Sequence, residues 1–496
     1  LLTVENTTGR TRYRLLETVR QYALEKLGES GEAADVRARH CDYYTAIATA
    51  LDTLSVAGHE RRVNEADLEI DNLRVAFAWS RDSGDVGAAL QLASSLLPLW
   101  RAGGRFQEGI TWLDAALDDH DANPAGVEPA CYARALVHRA LMDGHVGVTD
   151  HLERAPKALA IARDIGDPVL LARALAASGG VTIYNPDVAG PLLEEAADLA
   201  RSTGDTWTLG EILGWQMYRE VAGLGNPTAA RAVGEEAIDL ADQVGHRWLS
   251  RMCRHFVGQA RFQQGDLESG MALLDEVIDE SVAAHDTFSS CGAQTMRVLA
   301  LAFRGDTDTA RREAQAAIDT ATHISPVHVA FAHTALAFTS LAAGDVAAAV
   351  PASQSATQSY AANEAAGIID PNVAAQICLV QGDLDTARSL ADAAASTARG
   401  CYRAMALTTR FRIGVAIGDL ELAEQDAYGV LTIVVSVGAY LLAPEALECV
   451  AMLNTLTDRE AEAARLFGDA EAARVRMTIV RFRIYQAEMD AYLATL

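Results

Sequence analysis

Five Gly-Asp pairs, Gly265-Asp266, Gly305-Asp306, Gly344-Asp345, Gly382-Asp383 and Gly418-Asp419, recur at intervals of 40, 39, 38 and 36 residues, each behind an apolar helical stretch. A period of that length holds two helices and a turn, and such a unit cannot bury its apolar face alone. The cadence therefore predicts a stacked helical array. Within each pair the glycine supplies the left-handed conformation that ends one helix, and the aspartate offers an oxygen to cap the next. A second series, Gly166-Asp167-Pro168, Gly204-Asp205 and Gly245-His246, follows helical patterns at 158–165, 194–203 and 235–244 and predicts the turns between units. Arrays of this kind bind along their surfaces, so binding is the expected task.

At 496 residues the chain is too long for one compact core, and the repeats favour a solenoid over several globular domains. Half of the residues are apolar but only 6% are aromatic, a composition for helices whose backbones approach closely. With 67 acidic against 41 basic side chains the net charge is −26, which repels a phosphate backbone and makes the chain a poor nucleic-acid binder. Seven cysteines lie far apart without CxxC spacing, against a disulfide framework or zinc site and consistent with a reducing cytoplasm. The uncharged run 427–444 is near the length of a membrane span. Ser436-Val437-Gly438 places a turn inside it, so two buried helical segments are expected and no membrane partner. The chain starts at Leu1, without a signal-type segment, and reads as a piece of a longer polypeptide.

At the N-terminus, β-prone runs 1–5 and 11–16 flank Asn6-Thr7-Thr8-Gly9-Arg10, which suits a tight reversal. Residues 17–27 then follow helical spacing, with Gly28 placed as the C-cap. Strand, turn, strand and helix read as the end of a winged helix. Two longer helices are expected at 33–54 and 63–80, Gly84-Asp85 and Gly103-Gly104 open two more, and the acidic stretch 118–124 reads as a loop and soft boundary.

The segment Arg12-Tyr13-Arg14-Leu15-Leu16-Glu17-Thr18-Val19-Arg20-Gln21-Tyr22-Ala23, with Val36-Arg37-Ala38-Arg39-His40 and Tyr43-Tyr44, resembles the winged-helix exit of bacterial STAND/NB-ARC-type ATPase regulators of the large LuxR-type family. Glu69-Ile70-Asp71-Asn72-Leu73-Arg74, Trp79 and the stretch from Gly104 through Leu113 resemble the helices that join winged helix to sensor in those proteins. Residues 463–468 with Ala470-Glu471-Ala472 resemble the last unit of their arrays. The resemblance implies an all-α, tetratricopeptide-like solenoid preceded by the hairpin and helix of a winged-helix remnant. Its parts would be 1–30 as the C-terminal part of the winged helix, 31–124 as a linking helical region and 125–496 as the repeat array. It also implies a sensor and protein-interaction arm of a signal-responsive transcriptional regulator, controlling an upstream ATPase domain that would hold ATP and Mg²⁺. An effector protein or small molecule on the array, and self-association, are the implied partners. A constitutive adaptor without a nucleotide switch is the alternative. No GxxxxGK[ST] segment occurs here, so this chain itself is expected to carry no cofactor and to be no enzyme. Leu456-Thr457-Asp458-Arg459-Glu460 mimics the opening of a LuxR-type helix-turn-helix without its continuation, so direct DNA binding is not expected.

No catalytic, cofactor-binding or metal-binding residue is assigned from the sequence, and the ligand-binding residues stay undefined. Asp119-His120-Asp121 begins like a calcium loop, but Pro124 replaces the required glycine and Ala130 the bidentate glutamate. His323, His328 and His333 fall five apart, which spreads them over different helix faces. Cys253 and His255 suit core packing better than a nucleophile and base pair. The pairs Glu194-Glu195 and Glu235-Glu236 read as solvated faces. Arg10, Arg12, Arg14 and Arg20 give the wing a positive field, read as a packing surface for the ATPase. Arg474, Arg476, Arg481 and Arg483 read as a surface or docking face for a following domain. Trp100, Trp112, Trp207, Trp215 and Trp248 fit helical core packing, with a concave binding groove as the competing reading.

Overall fold

The structure is a computed structural model and describes residues 2–7, 10–52, 58–124, 126–147, 152–361 and 371–496. Strands β1 (Leu2–Thr7) and β2 (Arg10–Leu15) pair antiparallel, with Leu2 opposite Leu15 and Thr7 opposite Arg10. Thr8 and Gly9 of the expected reversal lie outside the described residues. Helix α1 (Glu17–Ser30) follows, ending at Gly31 with φ 78° rather than at Gly28, because the helical ladder continues through Glu29 and Ser30. None of its side chains is buried, and Tyr22 is 61% exposed. A hairpin and a helix are therefore present, but the winged-helix remnant read from them is not supported, since no side chain of α1 is buried.

Helices α2 (Ala33–Asp52), α3 (His59–Leu68), α4 (Ile70–Asp82), α5 (Val86–Ser95), α6 (Leu97–Ala102) and α7 (Phe106–Ala122) form the next block. The helix expected over 63–80 is split at Glu69, whose φ of −100° and ψ of 11° end α3 and start α4. The acidic stretch is the last turn of α7 rather than a loop. There Asp119 pairs with Arg81 at 2.6 Å and Asp121 accepts the Tyr132 hydroxyl at 2.8 Å, so its charges are matched and the helix continues. Trp100 and Trp112 are core residues here, Trp112 stacked on Phe77 with centroids 4.3 Å apart.

The array then runs in helix pairs. These are α8 (Pro129–Val146) with α9 (Arg154–Ile165), α10 (Pro168–Val181) with α11 (Pro186–Thr203), and α12 (Thr206–Tyr218) with α13 (Pro227–Val244). Next come α14 (Arg247–Gln263) with α15 (Leu267–Ala283), α16 (Thr287–Arg304) with α17 (Thr307–Ala321), and α18 (Pro326–Ala342) with α19 (Val346–Ala361). The last are α20 (Asn372–Gln381) with α21 (Leu384–Thr397), α22 (Gly400–Ile417) with α23 (Leu420–Val437), and α24 (Ala443–Leu456) with α25 (Glu460–Met477), before the short α26 (Gln486–Leu493). First helices of successive pairs pack on one another and form an inner wall, with the second helices outside. Fully buried alanines such as Ala237, Ala241, Ala310, Ala314, Ala387 and Ala391 let the outer helices approach closely.

All five repeated glycines have positive φ, between 78° and 87°. The five aspartates accept from the backbone N–H three residues on, at Ser269, Thr309, Ala348, Thr386 and Leu422. Likewise Gly438, with φ 69°, ends α23 and divides the uncharged run, and no helix among the described residues is long and apolar enough to cross a membrane. One continuous buried cluster extends from Cys41 to Ala332, joining the N-terminal helices to the first repeats.

The array curls until late pairs meet earlier ones. The Cys401 N–H donates to Gly225 O at 2.8 Å, the Thr228 hydroxyl to Val437 O at 2.9 Å, and Arg399 pairs with Asp187 at 2.7 Å. Farther on, the Val480 N–H donates to Phe303 O at 2.8 Å. Gly225 and Gly400 make this closure possible, because a Cβ on Gly225 would stand 2.5 Å from Arg399 O. The C-terminal arginines do not form one exposed face. Glu448, fully buried, holds Arg474 at 2.5 and 2.7 Å and Arg481 at 2.5 and 3.0 Å, and only Arg476 and Arg483 stay exposed.

Candidate functional site: a central aromatic cavity beside a charged cluster

The curl frames a cavity of about 370 Å³ on the inner wall. Its sides come from α12, α14, α16 and α18, and its far side from Arg399, Cys401, Tyr402 and Met405 of the returning chain with Leu441 and Leu442. Phe256, Phe288, Phe331, Phe338, Trp215 and Tyr218 give it aromatic walls. Among the described lining residues the only charged side chain is Arg399, whose guanidinium is held by Asp187 through two hydrogen bonds.

Uncharged polar groups punctuate this wall. The Tyr184 and Tyr218 hydroxyls lie 2.7 Å apart, and Gln259 donates to the Tyr402 hydroxyl at 3.2 Å. His145 donates from Nδ1 to its own helix at Leu141 O, 2.6 Å away, because a carbonyl can only accept. Burial pushes its imidazole down to about 3, with the Arg101 charge adding to the effect. His328 contacts Ser325 Oγ at 2.8 Å and is pushed down to about 4 by burial. His255 differs from both. It is 6% exposed, stacks on Phe256 at 4.2 Å, is pushed down to about 3 by burial, and its Nδ1 has no hydrogen-bonding partner. Gly292 makes room for that ring, since a Cβ there would lie 2.5 Å from His255 Cε1.

Next to the cavity is a smaller cleft of opposite character. Arg101 of α6 reaches Glu211 of α12 at 2.6 Å and lies over Trp248 with 5.0 Å to the ring centroid. His246 Nε2 is 3.4 Å from the same carboxylate, and its ring stacks on Trp207 at 4.1 Å. Despite burial, Arg101 first and then His246 hold the Glu211 carboxyl well below the usual range. Arg251, which also lines this cleft, pairs with fully buried Asp286 at 3.0 Å. This cluster ties the N-terminal block to the array through groups 110 residues apart in sequence.

The sequence-stated candidates are thus divided. Of the five tryptophans, Trp215 lines the cavity, Trp207 and Trp248 line the charged cleft, and Trp100 and Trp112 are core; all five are buried. His328 faces the cavity, whereas His323 is exposed and His333 half-buried. Cys253 is buried packing, its thiol pushed far up by burial, but His255 two residues away lines the cavity. Glu194, Glu195 and Glu236 are exposed, and half-buried Glu235 pairs with Arg231 and Arg261. The side chains of Arg10, Arg12 and Arg14 lie outside the described residues, and exposed Arg20 pairs with Glu17. Sequence reasoning missed the Arg101–Glu211–His246 cluster. Its one signal was Gly245-His246, where the capping aspartate of the other turns gives way to a histidine that turns inward without capping α14.

No family model matches the chain. Over its whole length it is 40% identical to proteins of Mycobacterium tuberculosis and Mycobacterium bovis named "Putative HTH-type transcriptional regulator". The chain spans 56% of the length of these curated relatives. Among solved structures, a Rap protein in complex with competence and sporulation factor aligns at TM-score 0.49 and 11% identity, over 79% of this chain and 98% of that one. A STAND protein with a tetratricopeptide repeat sensor from Pyrococcus horikoshii aligns at TM-score 0.42 and 13% identity, over 99% of this chain and 58% of that one. Both alignments are too loose to support an argument about ligand or partner.

Proposed function

We propose that this chain is the sensor and interaction arm of a signal-responsive, ATP-dependent transcriptional regulator. The observation that carries the reading is the 40% identity over the full chain to relatives named as HTH-type regulators, of which it spans little more than half. That proportion is consistent with further domains for nucleotide and DNA beside a region that itself contains no Walker-type phosphate cradle. In this reading nucleotide chemistry belongs to other residues of the intact protein, and the arm's part is to bind and to transmit.

The mechanism follows from the closed array. An effector that touches both the α12–α18 wall and the returning α22 favours the closed arrangement over an open one. It can shift that equilibrium only by its difference in affinity for the two states. The block 31–124 is the element that would pass the change on, because Arg101 couples it to the wall at Glu211. Deletion of residues 125–496 from the intact protein should change both nucleotide turnover and oligomer size. If neither moves, the arm is a constitutive adaptor and the switch reading fails.

A further inference from the structure

We propose that the central cavity is a binding site for one uncharged, ring-bearing organic molecule, anchored by a hydrogen bond to the imidazole of His255. The volume of about 370 Å³ falls in the range of small-molecule sites and accommodates a ligand of roughly 20 non-hydrogen atoms. The shape of the site is built rather than left over. Gly292 is held small by the His255 ring, and Gly214 by Leu249 and Met252, so the inner helices keep fixed positions around the space.

Chemistry narrows the occupant. A nucleotide, phosphosugar or organic acid needs cations, and the one guanidinium among the described lining residues is already engaged by Asp187. An extended peptide would bring a row of backbone N–H and C=O groups against walls that are mostly apolar, and each unmatched group is costly. Flat apolar rings suit the Phe256, Phe288 and Tyr218 faces. The His255 imidazole lines the cavity and can exchange one hydrogen bond with a hydroxyl, carbonyl or N–H on the ligand. The second polar anchor is the Tyr402 hydroxyl, which comes from the returning chain, so a ligand spanning both draws the two walls together. Its regulatory consequence rests on the sensor reading above; the binding does not.

Calorimetric titration of the full chain with β-estradiol and with its 3-sulfate tests the site, because the two probes share rings and differ in charge. Estradiol should bind at one site per chain, with the sulfate at least tenfold weaker. Thr334→Trp, which fills the cavity from α18, should weaken estradiol at least tenfold, and Ser202→Trp on the outer surface should leave it unchanged. His255→Phe keeps a ring of similar size and should weaken estradiol several-fold, which carries the test if the tryptophan variant does not fold. The proposal is overturned by the absence of saturable estradiol binding, by equal affinity for the sulfate, by unchanged affinity in His255→Phe, or by a mixed-sequence octapeptide binding where estradiol does not. Failure of the deletion experiment above would leave this binding intact, and the reverse holds too, so the two readings fall separately.

Discussion

Two polar interiors lie side by side in this molecule and solve burial in opposite ways. In the cleft around Glu211, charges are retained and matched, Arg101 and His246 converging on one carboxylate. In the central cavity charge is sparse: Arg399 alone among the described lining residues carries one, matched by Asp187, and His145 and His255 are held neutral by burial. The first arrangement fastens two blocks of helices, because a buried ion pair tolerates few geometries and fails when one member is lost. The second leaves an aromatic surface punctuated by uncharged polar side chains around an open space. The contrast sets the cleft, which fastens two blocks of helices, against the cavity proposed above as the recognition site.

The largest test of that contrast is Glu211→Ala, which strands the Arg101 guanidinium in a largely buried position. A loss of about 3–5 kcal/mol is expected in denaturant unfolding. A loss below 1 kcal/mol would show that water reaches Arg101 and that the cleft is no fastening. Loss of this pair should also loosen the N-terminal block first, read as faster hydrogen exchange in α6 than in α22.

An intermediate effect comes from acid. Burial holds His145 and His255 at about 3, against an ordinary value near 6.5. Below pH 6.5 the unfolded chain takes up these protons and the folded chain does not. Their contribution is therefore fully present above pH 6.5 and is lost as the pH falls toward 3. Between pH 7 and pH 5 the loss is roughly 2 kcal/mol for each imidazole. Unfolding at the two pH values measures it, and in His255→Phe the pH dependence should shrink by one such share. An unchanged dependence in that variant would mean that His255 titrates freely in the folded protein.

The smallest effect belongs to neither interior. Asp383→Ala removes one cap from the N–H of Thr386, and a loss of about 1 kcal/mol is expected in thermal or denaturant melts. Substitution at any of the five repeated aspartates should cost a similar amount, since the turns share one geometry. A much larger value would mean that the turn, rather than the packing, holds the array.

Parts of this molecule were legible before any coordinates. The Gly-Asp turns were, because a positive φ and a capping oxygen each select a residue type within a dipeptide. The division of the uncharged run at Gly438 was readable for the same reason. The block around α7 misled, because the acidic residues 118–122 look like a loop unless Arg81 and Tyr132, far away in sequence, are known to face them. The C-terminal arginines misled likewise, since Glu448 lies 26 and 33 residues upstream of the two it buries. His255 was noticed and set aside as packing, because a histidine on an apolar helix reads the same whether its ring meets protein or empty space.

The sequence by itself determined the repeat, its turns and the character of its faces, all properties that neighbouring residues impose through backbone conformation and helical periodicity. Only the tertiary structure decided that the array closes on itself at Gly225 and Cys401, that charge gathers at Glu211, and that a cavity remains around His255. Those features depend on contacts between residues a hundred or more positions apart. They are fixed by small angular offsets accumulated from pair to pair, which no local pattern records.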